Sequence, residues 1–313
     1  MARASREATF FHTPLWHRLV VRTFPRYRDV SLGATLASGV RVVVPLLEVG
    51  RHVKGLFRDH VSTFAGCYGG PIADGPLEDR ERSAIQAALL GQPRLAQLQL
   101  TSNPFGADPV ELEDHVARED FTQVLRLGPG CSSVLGGFSD SNRRSIRKAR
   151  RLGVTIRAAE TLADYRAYYG VYEDSLRRWG QRATSRYPVG LFEQGHRLAR
   201  EHPGHLKLWL AEHEGDVIAG AWVFYWNRHG VYWHGGTMER FFPYRPSNLL
   251  QAEVIKDACE RGFLYYDFNP SGGHEGVVRF KRSFGAEQRA VRHYVVSRKL
   301  FRMVQAVTRS VGR

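Results

Sequence analysis

Between residues 161 and 235 the spacing of apolar side chains changes from a helical period to a period of two. That change constrains the architecture more than any other feature of the chain. Over residues 161–179, Leu162, Tyr165, Tyr168, Tyr172 and Leu176 fall on one stripe at helical spacing. A second helix is predicted over 189–200. Strand-like stretches then follow at 206–212, 217–226 and 231–235, separated by Glu214-Gly215-Asp216 and Arg228-His229-Gly230, which read as tight turns. Two helices followed by a three-stranded meander must pack face on face, because each element has one apolar side to bury.

The elements around this block extend the same pattern. Ser139-Asp140-Ser141-Asn142 offers four candidate capping oxygens for a helix that ends at Gly153, the position of a C-terminal glycine cap. This helix carries Arg143, Arg144, Arg147, Lys148, Arg150 and Arg151; Arg143, Arg147 and Arg151 share one face. A strand is expected near 154–157, a helix over 247–261, a strand over 264–268, a glycine-rich loop at Ser271-Gly272-Gly273 and a last strand over 291–296. Residues 129–137 read as a loop. The first half alternates helix (10–21, 77–90) and strand (30–33, 40–47, 95–100, 121–127) and carries no motif of catalytic type. The fold class expected is α/β with mixed sheets. The domains expected are 1–138, 139–296 and a basic amphipathic tail over 297–313.

With 45 Lys and Arg against 31 Asp and Glu, the chain has a formal net charge of +14. A protein of this charge is drawn to polyanions such as nucleic acid, phosphorylated substrates or an anionic lipid surface; arginine-rich composition also arises in GC-rich genomes. Cys67, Cys131 and Cys259 match no zinc spacing, and an odd count does not make a disulfide framework, so a reducing, cytoplasmic setting is expected. No metal site is expected, since no His, Cys and carboxylate cluster has ligand spacing. The most apolar stretch, residues 40–49, is interrupted by Arg41, Pro45 and Glu48 and is too short for a bilayer. In the tail, Arg298, Lys299, Arg302 and Arg309 alternate with Leu300, Phe301, Val304, Val307 and Val311. That pattern suits either an anionic membrane surface or docking on the protein.

Four segments in this order resemble the FemAB-like branch of the GNAT acyltransferases, including the domain called BioF2-like. They are Asn142-Arg143-Arg144-Ser145-Ile146-Arg147-Lys148-Ala149 before Gly153; Gly220-Ala221 on the middle strand of the meander; Tyr244-Arg245-Pro246-Ser247-Asn248-Leu249-Leu250 running to Glu253; and Tyr266-Asp267-Phe268-Asn269, Gly272-Gly273 and Arg279-Phe280-Lys281-Arg282-Ser283-Phe284-Gly285-Ala286. Phe11-His12-Thr13-Pro14-Leu15-Trp16 and Tyr68-Gly69-Gly70-Pro71 extend the likeness into the first half, so that two GNAT-like domains in tandem are expected. The resemblance implies transfer of an acyl or aminoacyl group to an amine of a cell-envelope precursor or glycoconjugate. The donor would be aminoacyl-tRNA or acyl-CoA, with no tightly bound cofactor. It also implies a lipid-linked acceptor and a place in the cytoplasm, peripheral to the inner face of the membrane. One departure bears on the donor. Where acetyl-CoA enzymes carry a glycine-rich pyrophosphate loop, residues 240–248 contain no glycine and two prolines, which remove backbone donors.

The resemblance marks Lys281, and with it Arg279, as cations at the acyl centre or the donor phosphate. A fixed positive charge beside a developing oxyanion is worth several kcal/mol in a dry site, about 3–4 where single donors have been removed. Asp267, at a strand end, either orients the amine and accepts its proton or caps the glycine-rich loop. Arg143, Arg147 and Lys148 are candidates for phosphates, with a solvated helix face as the alternative. Tyr244, Arg245 and Asn248 are candidates for the acceptor groove. A structural pairing of Glu253 with Arg245 is expected, and Asn248 also suits a helix cap. His234 reads as a satisfied sheet histidine and His274 as a weaker candidate proton carrier. No Ser-His-Asp or Cys-His constellation stands out, so direct attack of the amine on an acyl ester is the expected chemistry. A non-catalytic RNA- or membrane-binding protein on the same scaffold is the alternative of another class.

Overall fold

The computed structural model describes residues 1–52, 55–106, 110, 112, 116–183 and 186–298. The amphipathic tail expected from residue 297 onward lies outside the described residues beyond 298. In chain order the elements are α1 (Pro14–Thr23), β1 (Arg28–Asp29), β2 (Leu32–Thr35), β3 (Arg41–Val44), β4 (Leu47–His52), β5 (Phe57–Val61), β6 (Ile72–Ala73), α2 (Asp79–Leu90), β7 (Leu95–Thr101) and β8 (Val116–Arg126). Then come α3 (Cys131–Gly136), α4 (Asp140–Arg151), β9 (Thr155–Ala158), α5 (Leu162–Trp179), α6 (Val189–Glu201), β10 (Leu206–His213), β11 (Asp216–Trp226) and β12 (His229–Thr237). The last are α7 (Pro246–Glu260), β13 (Tyr265–Pro270), α8 (Glu275–Arg282) and β14 (Glu287–Ser297). Among the described residues no helix is long and apolar enough to cross a membrane.

The chain divides into two compact units, residues 1–120 with 290–313 and residues 121–289. In the first, β1, β4, β5, β7 and β14 are neighbours in that order, and β2, β3 and β6 form a small separate sheet. Leu46, Leu89, Leu98, Leu100 and Tyr294 are core residues of this unit. Phe11, Trp16 and Tyr68 form a buried aromatic cluster beside α1.

The second unit holds the mixed sheet β8-β13-β12-β11-β10-β9. All its neighbours are antiparallel except β12 and β13. Local sequence explains the element boundaries. The Ser139 hydroxyl accepts the Asn142 N–H at the start of α4, and Gly153 takes a φ of +77° just past its end. Thr161 and Asp164 satisfy each other's backbone N–H groups in a capping box at the start of α5. Arg157 pairs with both Asp164 and Glu212, which ties α5 to the sheet and holds the Asp164 carboxyl well below the usual carboxylate range. Pro246 opens α7, where its missing N–H costs nothing. The loop expected over 129–137 instead contains the short helix α3, and a helix, α8, occupies 275–282, where none was expected.

Helices α5 and α6 cover one face of the sheet at very close range. A Cβ on Gly195 of α6 would lie 2.0 Å from the Trp222 ring, and one on Gly220 of β11 would lie 2.4 Å from the Tyr168 ring. These glycines are therefore packing residues with no room for a methyl group. Gly195→Ala forces the indole or the helix to move, and overpacking of this kind costs about 1–3 kcal/mol. Urea unfolding followed by far-UV circular dichroism should show an earlier midpoint for the variant. An unchanged midpoint would contradict the close packing of α6 on Trp222.

Candidate functional site

The one parallel contact in the sheet of the second unit is short. β12 and β13 pair only at His229–Tyr265, Gly230–Tyr266 and Val231–Asp267. Beyond that point β12 runs on to Thr237 and β13 to Pro270 with no ladder between them. Each strand is also irregular where the ladder stops. On β12 the register against β11 shifts between Trp222 and Val223, whose partners are His234 and Tyr232, so Trp233 is the extra residue of a bulge. On β13 the register against β8 shifts between Asp267 and Pro270, and Asn269 takes a left-handed φ of +62°. The two strands thus stop pairing beyond Val231 and Asp267, and the gap, or cleft, between their ends is bordered by backbone groups released from the ladder.

The β13 side of the cleft is braced by buried polar groups. Asp267 is fully buried, and its Oδ1 accepts hydrogen bonds from the Thr122 hydroxyl of β8 and, at 2.9 Å, from the Asn269 N–H. Lys281, on α8, is 3% exposed and donates from Nζ to the carbonyls of Asn269, at 2.6 Å, and Pro270, at 3.3 Å. A buried ammonium must have its protons accepted, and these carbonyls supply acceptors at the strand end. The Ser271 hydroxyl donates to Gln123 at 2.7 Å. Lys281 and Asp267 therefore converge on the Asn269 turn. Arg279, two residues before Lys281, is exposed.

The helix starts around the cleft are joined by amides that motif reading did not single out for this role. Asn142 is 2% exposed; it donates to the Ser283 carbonyl at 3.2 Å and accepts from Asn248 at 2.8 Å. The Ser139 N–H also donates to Ser283, at 2.9 Å. This links α4, α7 and the end of α8. Arg143 is partly spent within its own corner, donating to the carbonyls of Gly136 and Phe138 and pairing with Asp140. Arg147 is exposed and Lys148 half-buried. Tyr244 stacks edge-on against His213 at 4.7 Å; Arg245, exposed, adopts φ +59° before α7. Glu253 pairs not with Arg245 but with Arg150, at 2.6 Å, because its face of α7 packs on α4.

On the β12 side stands a residue that the sequence presents as merely satisfied. His234 is half-buried among Tyr168, Tyr172, Tyr187, Phe192 and Trp233, and its Nδ1 lies 2.7 Å from the Tyr168 hydroxyl. Burial alone pushes its pKa down to about 4. His274 lies against Trp179, ring centroids 5.0 Å apart. A separate concavity of about 410 Å³ flanks α7 and includes Trp209, Glu253 and Asp257. Its carboxylates are engaged, Glu253 by Arg150, Asp257 by Lys207 at 2.9 Å and Glu260 by Lys256 at 3.8 Å. Among the described residues no group of three or more His, Cys, Asp or Glu is placed to hold a metal ion.

Residues 138–282 match the family described as the Acetyltransferase (GNAT) domain. The chain is 27% identical over 107 residues to the Lipid II:glycine glycyltransferase of Staphylococcus epidermidis, covering 31% of this chain and 26% of the relative. It is 25% identical over 120 residues to the enzyme of the same name from Staphylococcus aureus, covering 35% of this chain and 26% of the relative. The matched stretch thus spans about a quarter of the length of these curated relatives. Among solved structures, FemX superposes with a TM-score of 0.74 at 13% identity, over 97% of this chain and 96% of that one. Domain match and whole-chain superposition agree: residues 138–282 match the GNAT domain, and the chain has the fold of FemX.

Proposed function

We propose that the chain transfers an aminoacyl group from aminoacyl-tRNA to an amine of a lipid-linked peptidoglycan precursor, at the cleft between β12 and β13. The observation that carries this reading is the splay of the two strands beside the buried Lys281, Asp267 and Asn269. The names of the relatives, glycyltransferases on lipid II, support the choice of acceptor. The glycine-free stretch 240–248 favours an RNA ester over a CoA thioester. In this reading the acceptor nitrogen bonds to the acyl carbon and the acyl–oxygen bond to the donor breaks. One proton passes from nitrogen to the departing hydroxyl.

The residues take the following parts. Lys281 fixes the Asn269–Pro270 carbonyls and brings positive charge to the place where the acyl oxygen becomes negative. Arg279 meets donor phosphate from the exposed side of α8. Asp267 holds the turn that shapes the cleft. Arg147 and Lys148, with what remains of Arg143, track the phosphates of the donor. Tyr244, Arg245 and Asn248 border the acceptor at the start of α7, where the helix dipole favours an anion. With a lipid-linked acceptor, the work is done in the cytoplasm at the inner face of the membrane. A second reading, acetyl transfer from acetyl-CoA, is favoured by the name of the matched domain.

The test is mass spectrometry of lipid II incubated with the purified chain and either aminoacyl-tRNA or acetyl-CoA. The expected product is heavier by one aminoacyl residue and forms only with aminoacyl-tRNA. An acetyl increment would select the second reading, and no increment with either donor would overturn both. Lys281→Met keeps the side-chain volume and removes the charge. It should lower turnover by about 10²–10³-fold with an unaltered circular dichroism spectrum; wild-type turnover would remove Lys281 from the reaction. The logarithm of the binding constant for tRNA should fall linearly with the logarithm of salt concentration, and Arg147→Ala should reduce that slope by about one. A salt-independent affinity would contradict phosphate contact on α4.

A further inference from the structure

We propose that His234 is a further catalytic residue of the cleft, whose Nε2–H hydrogen-bonds the acyl oxygen as negative charge develops on it, with Tyr168 and Gly220 as positioning residues. The inference rests on the acyl-transfer reading above. Its first support is the bulge. Val223 pairs with Tyr232 and Trp222 with His234, so the extra residue Trp233 breaks the alternation of β12. Trp233 and His234 consequently both lie on the face covered by α5 and α6, Trp233 against Tyr187 and His234 against Tyr168 and Phe192. His234 is also beyond Val231, the last residue of β12 paired with β13, so it stands where the strands have parted.

The second support is the tautomer. The Tyr168 hydroxyl is fully buried, and its burial raises its pKa well above the ordinary value, so it keeps its proton. Its one hydrogen-bond partner among the described residues is His234 Nδ1, at 2.7 Å. If Nδ1 carried a hydrogen, the phenol proton would be buried without an acceptor and would lose the hydrogen bond it makes to water in the unfolded chain. The hydroxyl therefore donates to Nδ1, and the imidazole hydrogen resides on Nε2. That nitrogen carries no protein hydrogen bond among the described residues. The titratable groups in ring contact with the imidazole are the phenols of Tyr168, Tyr172 and Tyr187. Burial is the cause of its lowered pKa, so the ring is uncharged near neutrality.

The third support explains why a glycine sits in the middle of β11. The Tyr168 ring lies where a Gly220 side chain would be, 2.4 Å from the Cβ position, and so reaches His234 from α5. In the reaction His234 gains and loses no proton. The nitrogen–carbon bond forms, the acyl–oxygen bond breaks, the proton goes from nitrogen to the leaving hydroxyl, and the imidazole only donates a hydrogen bond. An uncharged imidazole donating to a developing oxyanion is a known use of a histidine whose pKa is depressed.

The test has two arms. ¹⁵N-histidine NMR of the full chain, with the His234 signals assigned from their loss in His234→Phe, should show an Nε2–H tautomer that stays neutral as pH is lowered to about 5. An Nδ1–H tautomer, or an imidazolium at neutral pH, would overturn the proposal. In the lipid II assay with aminoacyl-tRNA, His234→Phe preserves an aromatic ring and should lower kcat by about 10²-fold with little change in KM. His234→Gln, which restores an N–H, should recover part of the loss, and Tyr168→Phe should show a smaller loss. An active wild type with His234→Phe at full kcat removes the inference alone. A wild type inactive with every donor removes the function and the inference together.

Discussion

The parting of β12 from β13 is the constraint on which the second unit depends. Two parallel strands held over three residue pairs and then released cannot satisfy their backbone groups through each other. Something else must hold each strand in place. On β13 it is the Asp267 carboxylate, the left-handed Asn269 and the Lys281 ammonium; on β12 it is the bulge at Trp233, locked against the aromatic face of α5 and α6. Each wall of the cleft is thus rigid for its own reason. A rigid wall keeps a charge or a hydrogen bond in place when the reacting group changes shape.

The packing around the cleft follows from this need. Buried charge is costly unless its hydrogen bonds are made, and Lys281 and Asp267 both meet that condition through backbone groups of the same turn. The Asn248–Asn142–Ser283 chain does the same with neutral groups and fixes where three helices meet. On the far side of the sheet, Gly195 and Gly220 allow rings to lie directly on backbone, so the aromatic layer is set by close contact rather than by loose burial. Arg143, by contrast, is largely consumed by carbonyls at the end of α3, and the exposed Arg147 is the better placed of the two to meet an outside anion.

Much of the second unit could be read from the chain. The helices α4 to α6 and the meander β10–β12 carry periodicity together with local stop and start signals such as Ser139, Gly153 and Thr161, and Pro246 marks the start of α7. Helices α3 and α8 could not be read, because six and eight residues hold too few turns to establish a period; α3 is also flanked by Gly130 and Gly137, and α8 follows the glycine-rich loop at Gly272-Gly273. The splay was beyond reach for another reason: it depends on where two distant strands stop pairing, and no local pattern encodes that register. Lys281 stood out through its motif, but its partners are backbone carbonyls, which have no signature. Reading His234 as a satisfied sheet histidine named no partner; its Tyr168 bond arises from the packing of α5 on the sheet. The signal that could have revealed it was Ala219-Gly220-Ala221, a run of small residues in the middle of a strand that ends in large ones. Glu253 pairs with Arg150 because α7 packs on α4, a contact between helices that sequence spacing does not report.

The chief rival location for a ligand is the groove of about 410 Å³ beside α7, where Trp209 lies among carboxylates already paired with cations. Amide hydrogen exchange, with and without a non-hydrolysable aminoacyl-RNA analogue at saturating concentration, separates the two most directly. The expected result is new protection in residues 233–237 of β12, at Phe268 and Asn269 of β13 and at Ser271 just beyond it, with the α7 groove unchanged. Protection confined to residues 150–156 and 253–260, with the splayed strand ends exchanging as before, would contradict the cleft as the place of reaction.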